Sequence, residues 1–143
     1  MRNVRYATDD ASLLACSDAI FALRPHLQPE NLLPQLKEMQ EQGYRIVYLT
    51  ADEDPSKVVA IAGFRYMHTL HAGKTIYIDD LSTLSEYRGK GYASLLLYHI
   101  KERAREEGLQ AVQLDSGHAR HTAHRLYLQQ GYHISAHHFV QPL

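Results

Sequence analysis

The chain has 143 residues, 45% hydrophobic and 22% charged, with a formal net charge of −1 at pH 7 and ten histidines. Such a balance is ordinary for one globular unit, which at this length buries roughly two-thirds of its unfolded surface without metal or disulfide staples. It excludes nucleic-acid binding through bulk charge, a disulfide scaffold and a spanning segment. There is no basic run, Cys16 has no partner, and no apolar run reaches membrane length. The start, Met1-Arg2-Asn3-Val4-Arg5-Tyr6, has no apolar leader core, so a cytoplasmic, reducing setting is expected for a single domain spanning 1–143.

In chain order, 2–7 reads as a strand in which Val4 and Tyr6 alternate with polar neighbours. Thr8-Asp9-Asp10 offers N-capping side chains to a helix running to about Leu23, where Pro25 stops it. Leu13, Leu14 and Ile20 around Cys16 mark that cysteine as a small core residue rather than a nucleophile. Pro29-Glu30-Asn31 opens a second helix with Leu32, Leu33, Leu36 and Met39 on one side, ending at Gly43. Strands follow over 45–50 and 58–67, joined by the polar turn Asp52-Glu53-Asp54-Pro55-Ser56. His71-Ala72-Gly73-Lys74 then connects into a strand over 75–81 that carries Asp79 and Asp80. A helix over 95–107, a strand over 111–115, a helix over 123–131 and a terminal strand over 132–140 complete the chain. The order β-α-α-β-β-β-α-β-α-β makes a mixed α/β domain without repeats or linkers.

The most informative segment is Tyr87-Arg88-Gly89-Lys90-Gly91-Tyr92-Ala93, between a strand and a helix. The helix is marked by Ala93, Leu96, Leu97, Ile100 and Ala104, one apolar stripe at 3.6-residue spacing. Gly89 and Gly91 allow the backbone close to a ligand, and the helix start brings free N–H donors and a positive dipole end. Arg88 and Lys90 add charge at the same spot, so the segment suits a phosphate. It is neither of the familiar nucleotide loops: G-x-x-x-x-G-K-[ST] is missing, and Ser94 stands where G-x-G-x-x-G needs its third glycine.

Arg88-x-x-Gly91-x-Ala93 after a strand resembles the acyl-CoA pyrophosphate loop of the GCN5-related N-acetyltransferase (GNAT) superfamily. A second block agrees with it. The strand Ala111-Val112-Gln113-Leu114-Asp115 is followed by Ala123-x-x-x-Tyr127-x-x-x-Gly131-Tyr132, similar to that superfamily's last helix, its tyrosine and the strand beyond. The resemblance covers about residues 45–139. Within the superfamily, Arg120 to Leu128 is similar to the corresponding helix of aminoalkylphosphonate N-acetyltransferases, although that likeness is short.

The resemblance implies a mixed, mostly antiparallel sheet flanked by helices. It also implies acetyl transfer from the cosubstrate acetyl-CoA to the primary amine of a small molecule, by direct attack in a ternary complex. Leu81, Ser82 and Thr83 would pair with the pantetheine arm where the fourth and fifth strands splay. The amides of Gly89, Lys90, Gly91, Tyr92 and Ala93, beside Arg88, would hold the pyrophosphate. Tyr127 matches the general-acid tyrosine, and with an ordinary pKa near 10 it can donate to a thiolate at neutral pH. A core position is the competing role for it.

Asp80 matches the carboxylate base, while Asp79 should face the other side of the strand if alternation holds. Solvated surface positions remain open for both. His68 and His71 flank a hairpin that borders the acceptor pocket in the superfamily, with an exposed loop as the default. His118, His121 and His124 recur every three residues, each step turning about 60° around a helix, and H-E-x-x-H is absent, so no metal is expected. Arg120 and Arg125 suit CoA phosphates and a solvated face equally. Asp115-Ser116-Gly117 departs from the pattern, because many members place Asn there to bond pantetheine. A non-catalytic acyl-CoA-binding domain and a protein-lysine acetyltransferase are the alternatives. Homodimerisation through the last strand is common in the superfamily, and neither membrane nor nucleic-acid partners are expected.

Overall fold

The computed structural model describes residues 1–143. It contains five strands, β1 (Arg5–Tyr6), β2 (Arg45–Ala51), β3 (Asp54–Thr69), β4 (Gly73–Thr83) and β5 (Ala111–Leu114). Five helices accompany them: α1 (Asp10–Ala15), α2 (Ser17–Leu23), α3 (Pro29–Glu41), α4 (Tyr92–Glu106) and α5 (His121–Gln129). The strands form one sheet in the order β1-β2-β3-β4-β5, antiparallel except for the parallel pair β4 and β5. That is the mixed, mostly antiparallel α/β architecture expected. No helix is long and apolar enough to cross a membrane.

Each face of the sheet builds its own core. On one side α4 lays Tyr92, Leu96, Leu97, Ile100 and Ala104 against Val47, Leu49, Ala60, Ala62, Phe64, Ile76 and Ile78. On the other, Leu13, Cys16, Ala19, Ile20, Leu32 and Leu36 cover Tyr44, Ile46, Val58 and Ile61. Neighbouring residues of β2 and β3 divide between the two clusters, as a period of two demands, except at Val59 and Ala60, which share the α4 side where the register with β2 shifts. A side chain such as Phe64 or Ile100, fully buried, contributes about 1.5–3 kcal/mol through the apolar surface it removes from water. Cys16 belongs to this packing: burial pushes its thiol up to about 12, which leaves no thiolate at neutral pH.

Several expected elements are redrawn. The first strand shrinks from 2–7 to Arg5–Tyr6, which pair with Tyr48 and Val47. The first helix starts as anticipated, with Asp9 as N-cap to Ser12, but divides at Cys16, where Ser17 Oγ donates to the Leu14 carbonyl at 2.6 Å. The helix expected over 95–107 begins at Tyr92, directly after Gly91.

The terminal strand over 132–140 does not form. Residues beyond Tyr132 have no regular structure, and Ile134, Phe139 and Val140 are 79%, 89% and 72% exposed. Alternation alone does not make a strand; it also needs a ladder to join. In this fold β5 offers four residues of edge, Ala111–Leu114, and the tail does not pair with them.

Candidate active site

The parallel pairing of β4 with β5 runs from Thr75 opposite Ala111 to Ile78 opposite Leu114 and stops there. β4 continues through Asp79 to Thr83, with Asp80, Leu81, Ser82 and Thr83 paired with β3 but open on the other flank. The break coincides with a β-bulge. Gly63 pairs with Asp80 and Phe64 with Ile78, so Asp79 is the extra residue. A bulge of this kind bends its strand and re-aims the side chains around it.

Its consequence corrects the expected alternation. Asp79 and Asp80 lie on the same side of the sheet, the side covered by α1, α2 and α3. Asp79 receives Arg65 through Nε at 2.9 Å and Nη2 at 3.1 Å, while the Arg65 guanidinium lies 5.1 Å from the Tyr77 ring centre. Asp80 receives the Tyr44 hydroxyl at 2.6 Å and Arg24, whose Nε is 3.1 Å and Nη2 3.0 Å from Oδ1. Arg24 also donates to the Asp79 carbonyl at 3.1 Å. Burial, reinforced by the Asp80 charge, raises the Tyr44 pKa well above the ordinary tyrosine value, so this phenol stays a donor. Its ring fits because residue 63 is glycine: a Cβ there would lie 1.6 Å from the Tyr44 oxygen.

The rest of the open flank divides between backbone and packing. Ser82 is buried, and its hydroxyl donates to the Ala19 carbonyl at 2.7 Å, so only its backbone faces the gap. Leu81 packs against the α4-side core, and the Thr83 carbonyl accepts Arg88 Nε at 3.3 Å. A 3₁₀ turn, Ser85–Tyr87, then leads into the glycine segment.

Gly89 and Gly91 both take left-handed backbone, with φ of 74° and 85°, and Gly91 is the N-cap of α4. Side chains at these φ values are strained, which explains why glycine stands at both positions. No side chain caps the helix, and the amides of Gly89, Lys90, Gly91, Tyr92, Ala93 and Ser94 have no backbone acceptor. Six donors therefore remain open at the positive end of a fifteen-residue helix, beside the exposed Arg88 and Lys90. Tyr92 contributes only its amide, since its ring is buried in the core.

Tyr127, half-buried on α5, packs against the margin of the same α4-side core that takes in Leu81, Leu84 and Leu114. Burial raises its pKa while Arg120 opposes the shift, and no hydrogen bond contributes to it. The ring sits 5.9 Å from that of Tyr132, whose hydroxyl is pushed up to about 12 by burial.

His68 and His71 fall elsewhere. Both are exposed at the tip of the β3–β4 hairpin, where His68 pairs with Lys74, roughly 17 Å along the strand from the Gly63–Asp80 rung. The structure does not bring them to the two aspartates. His124 bonds the Gly117 carbonyl at 2.8 Å, and no three His, Cys, Asp or Glu side chains cluster as a metal would require.

The model of the acetyltransferase (GNAT) family matches residues 14–132. The chain belongs to this family. It is an acyl-CoA-dependent N-acetyltransferase. An uncharacterised N-acetyltransferase of Bacillus subtilis (strain 168), YhdJ, is 32% identical over 123 residues, 85% of this chain and 84% of that protein. An aminoalkylphosphonate N-acetyltransferase of Salmonella typhimurium (strain LT2) is 36% identical over 76 residues, 53% of this chain and 49% of its own length. Among solved structures, a transcriptional regulator from Bacillus halodurans C-125 superposes with a TM-score of 0.86 at 21% identity, over the whole of both chains. The aminoglycoside acetyltransferase AAC(6')-Iy, in complex with a CoA bisubstrate analogue, gives 0.84 at 13% identity, covering 100% of this chain and 98% of the other. At such identities the structures attest the GNAT fold alone.

Sequence reading missed Arg2, Arg24, Tyr44 and Arg65, whose partners are distant in the chain. Gly63 was the available signal: an isolated glycine within an apolar strand often marks close approach by another group. Here that group is Tyr44.

Proposed function

We propose that this GNAT enzyme moves acetyl from acetyl-CoA to the primary amine of a small molecule, by direct attack in a ternary complex within one domain over 1–143. The observation that carries this reading is the row of open amides from Gly89 to Ser94, at the N-terminus of α4 and next to the unpaired flank of β4. Fixed donors of this kind suit a pyrophosphate, and the free edge of Leu81 to Thr83 suits the amide-bearing pantetheine arm. The neutral amine attacks the thioester carbonyl, whose developing oxyanion needs a backbone donor on that edge. Tyr127 gives its proton to the departing thiolate; burial keeps the phenol protonated and ready. Asp80, directly or through water, takes the proton that the new ammonium must lose. Its carboxylate already accepts two hydrogen bonds, from Arg24 Nε and the Tyr44 hydroxyl, yet two oxygens offer about four acceptor positions. Direct attack is favoured because the single thiol, Cys16, is buried and protonated.

Acceptors bearing both charges head the candidates. Asp79 and Asp80 suit an ammonium, while Arg24 and Arg65 suit an anionic group, and the Salmonella relative carries aminoalkylphosphonate in its name. His68 and His71 serve only an acceptor long enough to reach the hairpin tip. The exposed apolar tail, which His138 ties to Asp115 at the end of β5 at 2.9 Å, beside that strand's unpaired edge, supports a homodimer, checked by light scattering on the chain with and without residues 133–143. A cytoplasmic setting fits the lone buried cysteine.

The test is thiol release from acetyl-CoA with aminoalkylphosphonates, amino acids, polyamines and lysine peptides. Release driven by a small amine supports the proposal. Release with peptides only makes the enzyme a protein-lysine acetyltransferase, and binding of acetyl-CoA without release from any amine makes it a binding domain.

A further inference from the structure

We infer that Arg2 is a positioning residue for the cofactor loop, holding the Lys90–Gly91 backbone from behind so that its amides face the pyrophosphate. The inference rests on the acetyl-CoA reading above.

Arg2 lies at the far end of the sequence from the loop, yet its guanidinium joins three elements. Nε and Nη2 each reach a carboxylate oxygen of Asp52 at 3.1 Å, a two-pronged ion pair with the turn between β2 and β3. Nη1 donates to the Lys90 carbonyl at 2.7 Å, and the guanidinium carbon lies 3.8 Å from the centre of the Tyr92 ring. Tyr92 closes the assembly, because its hydroxyl accepts the Asp52 amide at 3.2 Å.

The geometry gives this contact a direction. Lys90 stands between the two left-handed glycines, so the orientation of its peptide also sets that of the Gly91 N–H. Fixing the carbonyl at one end of a planar peptide fixes the amide at the other. Glycines at 89 and 91 leave the loop free to take many other backbone shapes, and no side chain caps the helix to hold it. Arg2 supplies that restraint from the protein side and leaves the amides open. Arginine suits this role, because its planar fork engages carboxylate and carbonyl together and stacks on an aromatic face, whereas a lysine would offer one point charge. With Nε and both Nη groups engaged, Arg2 acts through the loop and is not itself cast as a phosphate ligand.

The experiment compares donors. Arg2→Gln, Arg2→Lys and Asp52→Asn are assayed with acetyl-CoA and with S-acetylpantetheine, which lacks the pyrophosphate. The acceptor is the best amine for the wild-type enzyme, and CoA binding is followed by calorimetry. Arg2→Gln is expected to raise the KM for acetyl-CoA roughly tenfold, the scale of losing one charge-assisted hydrogen bond. kcat at saturating acetyl-CoA, and kcat/KM for acetylpantetheine, should stay within about twofold. Asp52→Asn should follow in the same direction, providing a second variant if Arg2→Gln does not fold. Arg2→Lys should recover little. Equal loss with both donors would make Arg2 a general structural residue, and full rescue by Lys would mean that charge alone matters; either result overturns the inference. So does an unchanged KM. A wild-type enzyme that fails to bind CoA in the calorimeter would instead bring down the acetyl-CoA reading, and this inference with it.

Discussion

The two polar regions of the site are built on opposite plans. Around the β4 bulge every charge is matched within the protein: Asp80 by Arg24 and Tyr44, Asp79 by Arg65. At the start of α4 the amides of Gly89 to Ser94 have no acceptor within the protein, although the Lys90 carbonyl between them is held by Arg2. Tyr127 belongs with the second region, since no hydrogen bond engages its phenol. In the part-buried ring around Asp80 an unpaired charge is costly, whereas exposed donors at a helix start tolerate vacancy in water and gain when an anion arrives. The difference separates a region that holds its shape alone from one completed by its ligand.

Removing the unmatched phenol should have the largest effect. Tyr127→Phe is expected to lower kcat by about a hundredfold, within the usual range for a general acid, while CoA affinity by calorimetry changes less than about twofold. Unchanged turnover would remove Tyr127 from the mechanism.

The matched region should break structurally instead. Gly63→Ala sets a methyl group where the Tyr44 oxygen lies, and is expected to cost about 3 kcal/mol of stability in urea unfolding. A loss below about 1 kcal/mol would show that Tyr44 moves aside cheaply.

Two glycines sharpen the contrast further. Gly91→Ala and Gly43→Ala both force alanine into left-handed backbone, at φ of 85° and 100°, costing each about 1–2 kcal/mol. Only Gly91→Ala should also weaken CoA, by about tenfold in calorimetry. Equal CoA affinities for the two variants would detach the loop from binding.

The smallest effect is alkaline. Tyr44 and Tyr127 have folded pKa values raised above the ordinary 10, so an unfolded chain releases these protons first. Their contribution to stability is complete below pH 10 and declines as pH climbs toward the folded values. Urea midpoints should be level from pH 8 to about 10 and fall above it; a decline setting in below pH 9 would contradict this.

What the sequence disclosed follows the same division. The glycine loop, the α4 stripe through Leu96, Leu97 and Ile100, and the Tyr127 block are local patterns, visible within one helix or turn. The bulge at Asp79 leaves no local mark, because a register shift depends on the neighbouring strand; strict alternation therefore put the two aspartates on opposite faces. Arg24 and Arg2 were hidden for the same reason, being separated from their partners by 56 and 88 residues, while Tyr44, 36 residues from Asp80, was marked only indirectly by Gly63. The tail failed in the reverse sense: Tyr132 to Val140 has strand composition, but no neighbour within the chain pairs with it.

The most direct test is a CoA titration followed by amide proton and nitrogen shifts in isotope-labelled protein. The amides of Gly89 to Ser94 should move together and saturate at one affinity, with Tyr44 and Gly63 nearly still. CoA binding that leaves those six amides unmoved, or no binding at all, would contradict the assignment of this loop to the cofactor.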